Sequence, residues 1–140
     1  MTDIVVLVDS RGGNTRKLAD AIAEELGLTV GDLAVPLPGE VNTLFLGSGT
    51  YGGKPGDAMK EFISFNEFSD RRVALFGTSA SAEGAKKMME VMADELTKKG
   101  AMILGTYHCR GKFLFTNRGH PNGEDLENAK KFAREMVGVS

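Results

Sequence analysis

Apolar residues fall in short blocks along this chain, and two spacings alternate from block to block. Ile4 to Val8 is an unbroken apolar run rich in β-branched side chains, the pattern of a strand buried on both faces, and the first strand is placed at Asp3–Val8. From Asn14 onward Leu18, Ala19, Ile22, Ala23 and Leu26 recur at helical spacing until Gly27 supplies a stop, giving a helix over Asn14–Leu26. The alternation then repeats. Further strands are expected at Thr29–Leu33, Thr43–Leu46, Val73–Phe76 and Met102–Tyr107, and further helices at Asp57–Phe65, Ala82–Lys99 and Glu124–Val137. Each helix carries one apolar stripe: Met59, Phe62 and Ile63, then Ala85, Met88, Met89, Met92 and Leu96, then Leu126, Ala129, Ala133 and Met136. The methionines at this spacing read as core filling. A polar turn through Pro36, Pro38 and Gly39 and a loop over Cys109–Gly123 complete the outline.

Five apolar strands separated by helices predict an α/β fold: a doubly wound parallel sheet covered on both faces, in one domain over residues 1–140. In such sheets ligands bind beyond the carboxyl ends of the strands, where the strand order reverses. The loops after the first, third and fourth strands hold glycine, serine and threonine at that end, in Ser10–Thr15, Ser48–Gly56 and Thr78–Gly84. The crevice is expected between them.

Composition narrows the function. With 140 residues, 41% apolar and 26% charged, the chain suits one folded domain with a hydrophobic core. A net charge of −2 argues against a dedicated nucleic-acid binder. Lys98-Lys99 and Lys130-Lys131 read as solvated helix faces. No apolar run approaches the roughly 18 residues of a membrane helix, and no signal-peptide pattern opens the chain, so a cytoplasmic protein is expected. The one cysteine, Cys109, cannot form an internal disulfide, and it reads as packing beside Arg110 and Lys112, either of which can lower a thiol pKa. His108 and His120 form no metal-ligand pattern, and no catalytic triad or carboxylate pair stands out.

The loop Ser10-Arg11-Gly12-Gly13-Asn14-Thr15 sits where the first strand stops and the first helix starts. Such a loop can aim several backbone N–H groups at one anion, with the helix N-terminus adding partial positive charge. Ser10, Asn14 and Thr15 can each donate to a phosphate oxygen, and each also suits a helix cap. Two nearby patterns fail on inspection. Gly47-Ser48-Gly49-Thr50-Tyr51-Gly52 spells G-x-G-x-x-G, but it follows the wrong strand, and Pro55 comes too soon for the helix that motif opens. Gly53-Lys54 lacks the P-loop's first glycine, since Ser48 stands there, and its following hydroxyl, since Pro55 does.

Nearly the whole chain resembles the flavodoxin family. Ser10-Arg11-Gly12-Gly13-Asn14-Thr15 matches the family's phosphate loop [ST]-x-T-G-x-T at Ser10, Gly13 and Thr15. Gly47-Ser48-Gly49-Thr50-Tyr51-Gly52-Gly53-Lys54-Pro55 is similar to its flavin-side loop G-[ST]-P-T-Y-G-G-x-P, and Met59-Lys60-Glu61-Phe62 continues the likeness. Cys109-Arg110-Gly111-Lys112, Gly119-His120-Pro121-Asn122 and Glu124-Asp125-Leu126 also look like small flavodoxin-domain proteins. The resemblance implies a five-stranded sheet of order 2-1-3-4-5 and a bound FMN. It implies that Ser10, Arg11, Gly12, Gly13, Asn14 and Thr15 hold the phosphate. Ser48, Thr50, Tyr51, Gly52 and Gly53 would lie along the flavin, with Tyr51 stacked on the ring. In that family a peptide of this loop turns its carbonyl toward N5 of reduced flavin, and Gly52–Gly53 stands in that position. Thr78, Ser79, Ala80 and Ser81 would edge the pyrimidine end.

Two departures accompany the resemblance. Gly12 replaces the family's threonine, losing one hydroxyl worth about 0.5–1.5 kcal/mol unless Arg11 compensates. The loop after the fourth strand has no aromatic residue, so one ring face is expected to be open. The implied function is an FMN protein, active as a monomer, that carries electrons between redox partner proteins and binds neither nucleic acid nor membrane. The alternative is a flavin-dependent reductase of quinones, nitro compounds or other conjugated small molecules. Arg11 and Lys54 stand among Asp9, Asp57 and Glu83, so a second reduction potential less negative than in strongly acidic relatives is expected.

Overall fold

A computed structural model describes residues 3–111 and 119–138. Four parallel strands form one sheet in the order β1-β2-β3-β4: β1 (Ile4–Asp9), β2 (Thr43–Gly49), β3 (Arg72–Ser79) and β4 (Met102–Arg110). Between and after them run α1 (Asn14–Leu26), α2 (Asp57–Phe65), α3 (Ala82–Lys98) and α4 (Gly123–Gly138).

Period-two alternation in the central strands builds two cores from one sheet. Leu44, Leu46, Val73 and Leu75 point to one face, where Met59, Phe62 and Ile63 of α2 and Met88, Met89, Met92 and Leu96 of α3 cover them. Phe45, Ala74 and Phe76 point to the other, under Leu18, Ala19, Ile22 and Ala23 of α1 and Ala129, Phe132 and Ala133 of α4. The methionine stripe is core filling, as its spacing predicts. Phe132 is missing from the expected α4 stripe, yet it is buried, edge-on to Phe45 at 6.0 Å between ring centroids. No helix among the described residues is long and apolar enough to cross a membrane.

The expected strand at Thr29–Leu33 does not form, and the sheet has four strands instead of five. Gly31 donates one backbone hydrogen bond to the Val6 carbonyl, 2.9 Å, and the pairing stops there. Asp32 accepts from the Ala34 N–H at 2.8 Å through its side chain, turning the chain away from a ladder. Leu28 and Val30 still pack under one face of the sheet and Leu33 under the other. The apolar alternation therefore reports real burial without strand pairing. The remaining four strands keep their expected mutual order.

Other boundaries shift less. β4 continues through Cys109 and Arg110, so the loop expected at Cys109–Gly123 starts later; its residue Lys112 lies outside the described residues. Lys99 is not simply solvated: its Nζ donates to the Ile63 and Ser64 carbonyls, both at 2.7 Å, closing the C-terminal end of α2. Lys130 pairs with Glu24 at 2.8 Å and Arg134 with Glu25 at 3.0 Å, linking α4 to α1.

Candidate functional site

The carboxyl ends of β1, β2 and β3 open into one cleft of 490 Å³. Three loops meet there, and each is anchored by a side chain of the sheet. After β1 the chain turns through Gly13, whose φ of 88° places it in the left-handed region before α1. Gly13 offers no side-chain cap, and the Ser10 hydroxyl reaches across the loop to accept from the Arg16 N–H at 3.2 Å. Thr15, in the first turn of α1, is buried with its hydroxyl 2.8 Å from that of Thr78 at the end of β3.

After β2 the chain makes a two-residue hairpin. Tyr51 and Lys54 pair across it, with N–H to carbonyl distances of 2.9 and 3.3 Å. Gly52 and Gly53 between them have φ of 64° and 78°, the doubly left-handed turn that glycine tolerates without strain. Ser48 anchors its base: fully buried, it donates to the Gly49 carbonyl at 2.7 Å and accepts from the Gly56 N–H at 2.9 Å. Asp9 accepts from the Met59 N–H at 3.0 Å and so caps α2 from a neighbouring strand, because Gly56 at the N-cap has no side chain to do so. Thr50 donates to the Thr78 carbonyl at 2.9 Å, tying the hairpin to β3.

The third loop is built from small residues. Ser81 caps α3 by accepting from Gly84 N–H at 3.1 Å, and Ser79 accepts from Ser81 N–H at 3.3 Å. Ala80 lies beside the cleft with no aromatic neighbour in this loop.

Ser10, Gly12, Asn14, Thr15, Thr50, Tyr51, Gly52, Gly53, Thr78, Ser79, Ala80 and Ser81 all line this cleft, as the sequence placed them. Three expected residues do not. Ser48 is behind the hairpin, Gly13 serves the backbone turn, and Arg11 lies outside with its guanidinium 4.0 Å from the centroid of the Tyr51 ring. Its cation also stands 3.8 Å from Asp57, a pair exposed to solvent. Gly49 and Gly84 line the cleft from within the expected crevice loops, though not among the expected cofactor contacts, and Gly111 lines it from outside those loops. A Cβ on Gly84 would lie 2.7 Å from Ser79 Oγ, and one on Gly111 2.9 Å from Asn14 Nδ2. A glycine in the first turn of a helix was the readable signal for Gly84. No such signal marks Gly111.

Among the described residues no acidic side chain lines the cleft. Its volume falls within the roughly 300–1,000 Å³ of small-molecule sites. A Cβ at Gly12 or at Gly52 would meet nothing within 4 Å, so the backbone there is open to a ligand. The donor set is hydroxyls and backbone N–H groups at a helix N-terminus, the chemistry that holds a phosphate monoester. The residues present fit a flavin mononucleotide.

Cys109 stands apart from this cleft. It lines a second cavity of 310 Å³ with His108, Arg110, His120 and Asp125, where His120 Nδ1 is 2.7 Å from Asp125 Oδ2. Burial, and next the Asp125 charge, push the Cys109 thiol up to about 12, against the lowering that its basic neighbours in the sequence suggest. Burial, then the Lys86 charge, lowers the His108 pKa below its ordinary value.

Comparison with known proteins agrees with this fold. An uncharacterized protein of Methanocaldococcus jannaschii is 27% identical over 135 residues, which cover 89% of this chain and 90% of that protein. The crystal structure of oxidised flavodoxin 1 from Bacillus cereus superposes with a TM-score of 0.74 at 21% identity, covering 98% of this chain and 99% of that one. Rubredoxin oxygen:oxidoreductase from the anaerobe Desulfovibrio gigas superposes at 0.67 and 20% identity, over 99% of this chain and 37% of that one. A family model described as a flavodoxin domain matches residues 5–116, most of the sheet and the whole of the loop architecture that forms the cleft. On that match, this chain belongs to the flavodoxin domain family.

Proposed function

We propose that this chain binds FMN in the cleft at the carboxyl end of its sheet and carries electrons between protein partners as a monomer. The observation that supports this most is the convergence of two loops forty residues apart in sequence. Ser10–Thr15 and Thr50–Gly53 meet around one 490 Å³ cleft. The first presents helix N-terminal amides and the Ser10 hydroxyl to a phosphate. The second presents an aromatic ring and two glycines to a planar ring system.

FMN, when bound, supplies the redox chemistry, accepting and releasing one or two electrons. The chain's own part is binding and electrostatic tuning. Asn14 and Ser10 hold the phosphate end, and Tyr51 faces the ring. Gly52 and Gly53 let a backbone carbonyl reorient at the ring edge. The absence of an acidic lining among the described residues keeps negative charge away from the cofactor.

Titration of the purified protein with FMN, followed by flavin fluorescence quenching, tests the reading. Saturable one-to-one binding is expected, and no quenching at high micromolar protein would sink it.

A second reading, a flavin-dependent reductase of quinones or other conjugated acceptors, is favoured by the third loop. Its serine and alanine side chains leave the cleft open on that side. The same fold also forms part of a rubredoxin oxygen:oxidoreductase. Oxidation of NADH or NADPH by the FMN-loaded protein with such acceptors separates the two: turnover by the chain alone marks an enzyme, and turnover only with an added reductase marks a carrier.

A further inference from the structure

Several hydroxyls near the first loop have their protons engaged within the protein. Ser48 spends its proton on the Gly49 carbonyl and Thr50 spends its own on the Thr78 carbonyl. Thr15 and Thr78 share one hydrogen bond inside the protein. Position 12 carries no hydroxyl at all. Two hydroxyls at this loop only accept: Ser10 takes the Arg16 N–H at 3.2 Å, and Tyr51 reaches back into the loop to take the Arg11 N–H at 3.1 Å. An oxygen that accepts such a bond keeps its own proton to donate.

Gly49 makes the reach possible. A Cβ there would stand 2.6 Å from the Tyr51 hydroxyl oxygen and 2.9 Å from the ring carbon that bears it. The Arg11 guanidinium covers one face of the Tyr51 ring at 4.0 Å from its centroid, which helps hold the ring in this pose.

We infer that the Tyr51 hydroxyl is a phosphate-binding group, supplying to the cofactor's phosphate the donor that Gly12 lacks. Tyr51 then serves both ends of the cofactor: the ring by its face and the phosphate by its tip. Binding would discriminate riboflavin 5′-phosphate from riboflavin partly through this one proton. The inference rests on the FMN reading above and adds a residue role to it.

The test compares FMN and riboflavin dissociation constants for the wild type, Tyr51→Phe, Gly49→Ala and Tyr51→Phe/Gly12→Thr. Tyr51→Phe keeps the ring and should weaken FMN about ten- to a hundredfold, the size of a lost hydrogen bond to a charged group, while riboflavin changes less than about twofold. Gly49→Ala should repeat that FMN-selective loss by displacing the hydroxyl, since the clash is with the far end of one side chain. Adding Gly12→Thr to Tyr51→Phe should recover most of the FMN affinity. A Tyr51→Phe protein that binds FMN like the wild type overturns the inference and leaves the FMN reading standing. Equal losses for FMN and riboflavin also overturn it, assigning Tyr51 to the ring alone. Wild-type protein that binds neither ligand removes both.

Discussion

The Thr15 and Thr78 hydroxyls lie 2.8 Å apart in the interior, joining the first turn of α1 to the last residues of β3. They fix the distance between the first and third loops of the cleft. Removing one hydroxyl leaves the other buried and unpaired, which costs about 1–3 kcal/mol. Thr15→Val or Thr78→Val should therefore destabilise the fold by that amount in urea unfolding. The double variant should lose less than the sum of the two, because neither polar atom is then left without a partner.

Asp9 caps α2 from β1, where Gly56 at the N-cap has no side chain to do so. Asp9→Ala should cost about 0.5–2 kcal/mol, the range for a lost N-cap. Asp9→Asn keeps an acceptor and should recover part of that loss. Denaturant midpoints of the three proteins decide it; equal midpoints would mean that α2 holds its place by packing alone.

Alkaline conditions should weaken the fold through β4. The Cys109 thiol is raised from 9.0 to about 12 in the folded protein, first by burial. The folded state therefore keeps a proton that the unfolded chain gives up from about pH 9. That contribution to stability is complete below pH 9 and is lost as pH climbs toward about 12. The Tyr107 phenol is raised as well, by burial and then by the Cys109, Asp125 and Glu124 charges, and it extends the loss to higher pH. Unfolding midpoints between pH 8 and 11 measure this, and Cys109→Ala should flatten the first part of the decline. At pH 8 the native thiol should react with a disulfide reagent at least about tenfold more slowly than the unfolded one.

Charge around the cleft bears on redox behaviour. Asp9 is turned to the α2 N-terminus, Asp57 pairs with Lys60 at 3.5 Å, and no acid lines the cleft among the described residues. With FMN bound, the second reduction potential should be less negative than in relatives that ring the flavin with carboxylates. A spectroelectrochemical titration checks it, and a very low second potential would show that other charges govern the site.

The sequence made the site more legible than the sheet. Twelve of the fifteen expected site residues line one cleft, because glycine, hydroxyl and amide side chains at strand ends have few other uses there. Arg11 escaped because a long cation goes where the nearest aromatic face and carboxylate draw it, and the sequence does not show that Tyr51 folds back beside it. Ser48 reads as a ligand group until its two partners, Gly49 and Gly56, are known. The missing strand is a different case. Val30 and Leu33, half-buried among exposed neighbours, make Thr29–Leu33 read as a strand, yet pairing needs a register that the Asp32 turn breaks after one bond. Hydrophobic pattern reports which side chains are covered, and only hydrogen bonding decides what covers them.

The hairpin after β2 is clamped at both flanks and bare at its tip. Tyr51 and Lys54 hold its flanks together, Ser48 fixes its root, and Gly52 and Gly53 have no β-carbon to resist rotation. The peptide unit joining those two glycines can thus reverse the sense of its dipole while every ladder bond around it stays made. A reversal of that kind moves a few atoms and leaves the core undisturbed, so the surroundings of a bound ring could answer a change of charge with almost no mechanical rearrangement.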